Sequence, residues 1–369
     1  MSYESSAEPI KFGYLFDFLL PEGYPKDKRD DLTQTFELVF KQGHEQKLID
    51  RPVEIIFREV EGLPKGTIKA VIDAYHQLAD EGCLAVFGPA IGDNAVPLRE
   101  VIEHRQVPAI SVTGAETWLG DWTFALPMGS HTDEPVFWAD MIAKRRLNDV
   151  GVVIEQSLIG EAYSRNFRKA CKAKGIRVAA EEFIAQTAHD ISATVCKLRD
   201  AHVGAIVHCG FGFGIVHLNA ALGALNWNPP RFISTSFQNA WINPVMWKAI
   251  EGWIGIDQYD EGNVVGQRFL DEFQKAYGRR PEYCVPVTNR DLATVLLHAF
   301  ADAHPLTPRG VRDALERVKM LPAASGAPGT RLSFGKHMHH GWVGAGYLVA
   351  RRLDPDGINS HLVERFGQD

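Results

Sequence analysis

Apolar residues in the first two-thirds of the chain fall into short continuous runs that alternate with longer stretches of helical periodicity. Ile10–Phe16 is the first run, and a helical stretch around Lys28–Leu48 follows it. After Val53–Phe57 come Ile68, Val71, Ile72, Tyr75, Leu78 and Ala79, spaced to share one helix face. Leu84–Phe87 ends in Gly88-Pro89, and the next helix is predicted to begin at Asp93, a favoured N-cap residue. Ala109–Val112 and Thr123–Leu126 read as further strands. The rhythm restarts at Val150–Ile154, before a helix carrying Ile159, Tyr163, Phe167, Ala170 and Cys171 and closed by Gly175. Arg177–Ile184, Ala205–Cys209 and Phe232–Thr235 supply later strands. Alternating strand and helix predicts a parallel sheet covered on both faces, and two such runs predict two doubly wound α/β lobes.

The last third changes character. Long helical patterns cover Val264–Tyr277 and Val285–Ala303, with a third from Pro308 to Val318. A loop rich in Gly, Pro and Ala spans Leu321–Thr330, and a last strand-like run covers Tyr347–Leu353. Such a tail must return over lobes already built, so the chain is expected to cross between lobes more than once, near residues 128 and 258. A length of 369 residues suits two lobes better than one core.

Composition narrows the function. Hydrophobic residues are 45% and charged residues 23%, the profile of a globular chain. Thirty-nine Lys and Arg against 46 Asp and Glu give a net charge of −7, with no basic stripe of the kind a nucleic-acid partner requires. No apolar stretch approaches the roughly 18 residues of a membrane span. Met1–Glu8 lacks a basic region followed by an apolar one. The expected location is cytoplasmic if Met1 is the native start, and periplasmic or cell-surface if a leader was removed. The five cysteines are widely spaced with no C-x-x-C pair, against zinc ribbons, redox pairs and a disulfide framework.

Several motifs invite chemistry and fall short of it. Gly210-Phe211-Gly212-Phe213-Gly214 follows a strand, but Ile215 stands where a dinucleotide fingerprint needs glycine, and Phe232–Thr235 has no ribose-binding acid. The loop is expected at the rim of a cleft. His337, His339 and His340 lack a neighbouring carboxylate or Cys and read as a solvated turn rather than a metal site. No nucleophile elbow, H-E-x-x-H or P-loop occurs. Trp118 and Trp122 share a Gly-containing loop between strands, a position open either to ligand contact or to edge capping. No cofactor, no metal and no enzymatic activity are expected.

As a set, the motifs resemble a known family. Ile10-Lys11-Phe12-Gly13, Val86-Phe87-Gly88-Pro89, Val107-Pro108-Ala109-Ile110-Ser111, Gly151-Val152-Val153-Ile154 with Gly160, Ile250-Glu251-Gly252-Trp253 and Asn289-Arg290-Asp291-Leu292-Ala293 occur in one order. That order resembles the branched-chain amino-acid type of type I periplasmic solute-binding protein, over residues 10 to 353. The resemblance implies two Rossmann-like lobes joined by three hinge crossings: residues 8–128 with 259–336, and 129–258 with 337–369. It further implies capture of a small organic solute for the permease of an ABC importer, or, alternatively, a cytoplasmic sensor of the same fold acting on a regulatory partner protein.

Departures from the family bear on the ligand. Gly92 followed by Asp93 stands where a carboxylate-holding Ser is expected, Ile159 replaces a stacking Tyr, and Ser234–Ala240 has no acid for an α-ammonium. An unpaired buried ammonium is costly, so an amide, an aromatic acid or a larger apolar carboxylic acid fits better than a standard α-amino acid. The cleft residues expected on this basis are Phe16, Gly92, Asp93, Asn94, Thr113, Ala115, Trp118, Phe211, Phe237 and Gln238. Phe211 and Trp118 are expected to clamp the ligand from opposite lobes, while Asp93 also suits a helix cap.

Overall fold

A computed structural model describes residues 8–20, 22, 24–238, 244–354 and 360–367. Strands β1 (Ile10–Phe16), β2 (Val53–Glu59), β3 (Ala85–Phe87), β4 (Ala109–Ser111) and β5 (Thr123–Ala125) form a sheet in the order β2-β1-β3-β4-β5. All its pairings are parallel. Helices α1 (Lys26–Glu45), α2 (Ile68–Asp80) and α3 (Gly92–Arg105) connect them. Both faces are covered, so every residue of β3, β4 and β5 is buried.

The second sheet begins after α4 (Asp133–Lys144), an element the sequence reading did not mark. It runs through β6 (Asp149–Glu155), α5 (Leu158–Lys174), β7 (Arg177–Ile184), α6 (Ser192–Asp200), β8 (Ala205–Cys209) and α7 (Ile215–Ala224). Next come β9 (Arg231–Ile233), α8 (Pro244–Ala249) and β10 (Trp253–Asp257). Ser157 starts α5 by accepting the Gly160 N–H at 3.0 Å, and Gly175 ends it in the left-handed region. Thr235, expected in a strand, lies instead in a 3-10 turn over Thr235–Gln238.

The chain then returns to the first sheet. Helices α9 (Val264–Tyr277), α10 (Cys284–Asp302) and α11 (Pro308–Leu315) lead to the short pair β11 (Leu321–Pro322) and β12 (Arg331–Leu332). Helix α10 packs on α1. Finally β13 (Val349–Leu353) and β14 (Ser360–Arg365) join the second sheet antiparallel, in the order β14-β13-β10-β9-β8-β6-β7.

Three segments therefore pass between the sheets, and they are tied to one another. The Pro127 carbonyl on the first accepts from Gln258 Nε2 on the second at 2.9 Å and from Trp342 Nε1, beside the third, at 2.8 Å. Residues 339–342 still belong with the first sheet: the Ala125 N–H donates to the His339 carbonyl at 2.9 Å, and the Gly341 N–H to the Ala125 carbonyl at 2.8 Å. The 336/337 boundary drawn from the resemblance falls just before this stretch, and β13 begins only at Val349. The histidine run is a solvated turn only at its start, where His337 is exposed. His339 is buried, stacks on Phe124 at 3.9 Å between centroids, and places Nε2 3.1 Å from Glu316. Among the described residues, no group of three or more His, Cys, Asp or Glu is placed to hold a metal.

Candidate functional site

The carboxyl ends of the parallel strands in both sheets face a shared cleft, the usual place for a ligand in open α/β sheets. It holds about 940 Å³ of atom-free space, mouth included. From the first lobe, Tyr14, Phe16 and Phe18 line it with Phe87, Thr113 and Gly92. The second lobe contributes His131, Ile159, Tyr163, Phe211, the Ser234–Ser236 backbone turn and Gln238.

Of the residues expected from sequence, Phe16, Gly92, Thr113, Phe211 and Gln238 line this cleft. The others are elsewhere, each for a packing reason. Trp118 is fully buried beneath its own lobe, with Nε1 donating to the Phe124 carbonyl at 2.8 Å. It packs with Trp122, Leu98 and Ile102, so the expected two-lobe clamp of Phe211 and Trp118 does not form. Phe237 is buried in the second lobe's core with Trp253 and Ile250. Ala115 lies in a neighbouring recess with Glu116 and His340. Asn94 turns away to bridge Asp17 and the Leu63 backbone. Asn239 and Ala240, the end of the loop read as lacking an acid, lie outside the described residues.

Asp93 does not cap its own helix. Ile91 is the N-cap of α3, and Asp93 sits in the first turn. Its Oδ1 accepts the Leu158 N–H at 3.1 Å, so a carboxylate on one lobe meets the positive end of α5 on the other. Burial raises its pKa above the ordinary carboxylate range. A second carboxylate lies at the start of α3: Asp17 is buried and accepts the N–H groups of Ala90 (2.8 Å) and Ile91 (3.1 Å). Two helix N-termini that elsewhere would attract an anion thus each already hold one of the protein's own acids, Asp17 at α3 and Asp93 at α5.

The glycine loop has an internal explanation. Glu155 ends β6 fully buried and accepts N–H groups from Phe211 at 2.9 Å and from Gly212 and Gly214 at 3.1 Å. A Cβ at Gly210 would come within 2.5 Å of that carboxylate, and Gly212 has φ +97°. The nest that a phosphate would occupy in a nucleotide-binding loop holds the protein's own carboxylate. Burial opposes its charge, but His208, at 3.3 Å, and the backbone donors outweigh that and keep its pKa low. Phe211, its centroid 5.1 Å from that of Phe213, is thereby held at the cleft.

Sequence reading missed Glu134, in the first turn of α4. It is fully buried and accepts from the Ser130 N–H (2.7 Å), the Thr235 N–H (2.9 Å), the Tyr163 hydroxyl (2.8 Å) and the Thr235 hydroxyl. Burial pushes its pKa up to about 7 against those hydrogen bonds. Two of its partners, Tyr163 and Thr235, line the cleft. His131, its ring tilted against Tyr163 at 4.7 Å between centroids, is held neutral by burial, its pKa pushed down to about 4. No Asp, Glu, Lys or Arg is among the described lining residues. The arrangement is an aromatic, uncharged chamber between two lobes, with hydroxyl and amide groups as its polar features.

Solved structures share this architecture. A type 1 periplasmic binding protein from Bordetella pertussis Tohama I superposes with a TM-score of 0.79 at 19% identity, covering 97% of this chain and 100% of that one. A leucine-binding protein from Thermotoga maritima MSB8 gives 0.78 at 14% identity, covering 96% and 98%. An ABC-transporter solute-binding protein from R. palustris, in complex with benzoate, gives 0.76 at 16% identity, covering 97% and 96%. No curated protein sequence matches the chain significantly. The periplasmic binding protein family profile, however, matches residues 9–346. With two parallel-sheet lobes, three tied crossings and a cleft at the strand ends, the chain belongs to the periplasmic binding protein family.

Proposed function

We propose that the protein captures a small organic solute between its lobes and delivers it to an ABC importer on the outer side of a cell membrane. The observation that carries this reading is the aromatic, uncharged cleft whose rim is bridged from lobe to lobe by Asp93 and Leu158. Aromatic walls suit a flat or apolar body, since each ring offers a large area from which water is displaced. The benzoate bound by the R. palustris relative is a solute of that shape. A standard α-amino acid suits the cleft less well, because no carboxylate among the described lining residues faces an ammonium.

The test is a thermal-shift screen over amino acids, amides, and aromatic and alicyclic acids. A ligand specific to the folded state raises the melting temperature by mass action, by about 2.7 kcal/mol of apparent stability at a hundred times its dissociation constant. At least one apolar-bodied solute is expected to do so, with a matching calorimetric titration. A screen that shifts only with nucleotides or metals overturns the reading.

A further inference from the structure

We propose that the solute carries a primary carboxamide on a flat apolar or aromatic body, and that Gln238 is the residue that specifies it. This rests on the solute-binding reading above and narrows it. Gln238 is 3% exposed and lines the cleft, yet both Nε2 and Oε1 lack a hydrogen-bond partner among the described residues. Because both atoms are unpaired, the argument holds whichever way the amide is turned. A buried amide left so is costly, and a ligand that pairs both atoms recovers that cost on binding.

The hydroxyl groups nearby sharpen the choice. Tyr163 and Thr235 donate their hydroxyl hydrogens to Glu134, and Ser234 donates its own to the Gly210 carbonyl at 2.9 Å. Each hydroxyl has one hydrogen, so with Glu134 ionised these wall oxygens can only accept further bonds. A ligand carboxylate could accept from Gln238 Nε2 and the Thr113 hydroxyl, but it would face the accepting oxygens of Tyr163, Thr235 and Ser234 and leave Gln238 Oε1 unpaired. The α3 N-terminus disfavours it too, since Asp17 accepts the Ala90 and Ile91 N–H groups there and Asp93 adds a second acid in the first turn. An ammonium would leave Gln238 Nε2 unpaired and bring a cation where no acid is among the described lining residues. A hydroxyl has one hydrogen for several acceptors. A carboxamide supplies two N–H donors and one carbonyl acceptor in one plane, so it can pair with Gln238 through two antiparallel bonds and still donate to a wall oxygen.

The experiment is calorimetric titration of the full chain with four probes on one ring: benzamide, benzoate, benzylamine and benzyl alcohol. Benzamide is expected to bind at least about thirtyfold more tightly than the other three, since a site built to hydrogen-bond a group discriminates against analogues lacking it. Gln238→Met keeps the volume and removes the amide. It is expected to weaken benzamide binding at least about tenfold while leaving the unliganded melting temperature unchanged or raised. Benzoate or benzylamine binding as tightly as benzamide overturns the proposal and leaves the solute-binding reading intact. Benzamide affinity indifferent to Gln238→Met overturns it as well. Failure of all four probes overturns the carboxamide assignment, and the wider solute screen then decides the function separately.

Discussion

Two aromatic residues that look alike in sequence part company in the structure. Phe211 and Trp118 both follow strands in glycine-containing loops, but Phe211 lines the cleft while Trp118 is the centre of a lobe's core. Phe211→Ala is expected to weaken solute binding about thirtyfold, the scale of an aromatic anchor, with little change in unliganded melting. Trp118→Ala is expected to destabilise the unliganded protein by about 3–5 kcal/mol, because the cavity left behind is enclosed. Denaturation and titration of both variants separate the two roles. Glu134 yields a pH prediction. Its folded carboxyl titrates near 7 against an ordinary value of 4.5, so its raised pKa favours folding below about pH 4.5 and that contribution disappears as pH rises through 7. Glu134→Gln is therefore expected to gain stability relative to the parent between pH 5 and pH 8, by roughly 3 kcal/mol. Melting curves across that range check the sign. Phe16, Gly92, Thr113, Phe211 and Gln238 are legible as cleft residues because each lies at or shortly after the carboxyl end of a strand or begins a helix. Glu134 and Tyr163 are not, because their importance lies in one another and in Thr235, which is 101 residues from Glu134 in sequence.

Strand and helix rhythm is the most legible level. Arg177–Ile184, Ala205–Cys209 and Val264–Tyr277 were read from sequence with the bounds the structure shows. Continuous apolar runs between helices leave little freedom, since a parallel strand is buried on both faces. Helix α4 escaped because two acids and a proline in its first turn mask the apolar face of Phe137, Trp138 and Met141. What an element's end does depends on partners that sequence does not display. Asp93 has the local signature of a cap, yet its carboxylate reaches α5 in the other lobe. Asp93→Ala is expected to weaken the closed arrangement, lowering solute affinity about tenfold and enlarging the radius of gyration of the solute-saturated protein in small-angle scattering. Unchanged scattering and affinity would return Asp93 to a purely local role. Glu155→Ala would strip three backbone N–H groups of their acceptor and loosen the loop that carries Phe211. Loss of roughly 3 kcal/mol or more is expected on denaturation, with solute affinity falling in parallel.

At the scale of the whole molecule, the three crossings meet around the Pro127 carbonyl, so the two lobes share one hinge while their strand ends face one chamber. The helix-rich tail, read from sequence as a return over lobes already built, is the part that closes this geometry: α10 covers α1, and β13 and β14 finish the second sheet. An uncharged chamber predicts selectivity as well as binding. Leucine and valine are expected to bind weakly or not at all, because no described lining acid can pair with their ammonium. Sub-micromolar affinity for either would place an acid at the ligand that this geometry does not show. The central claim is that one small, apolar-bodied solute fills the cleft and sheds its water there. Calorimetric titration of the strongest solute from the screen, repeated at several temperatures, tests it most directly. The account predicts saturation at one solute per chain and a negative heat-capacity change from aromatic burial, both lost together in Phe211→Ala. Binding with no heat-capacity change and no sensitivity to Phe211 would contradict it.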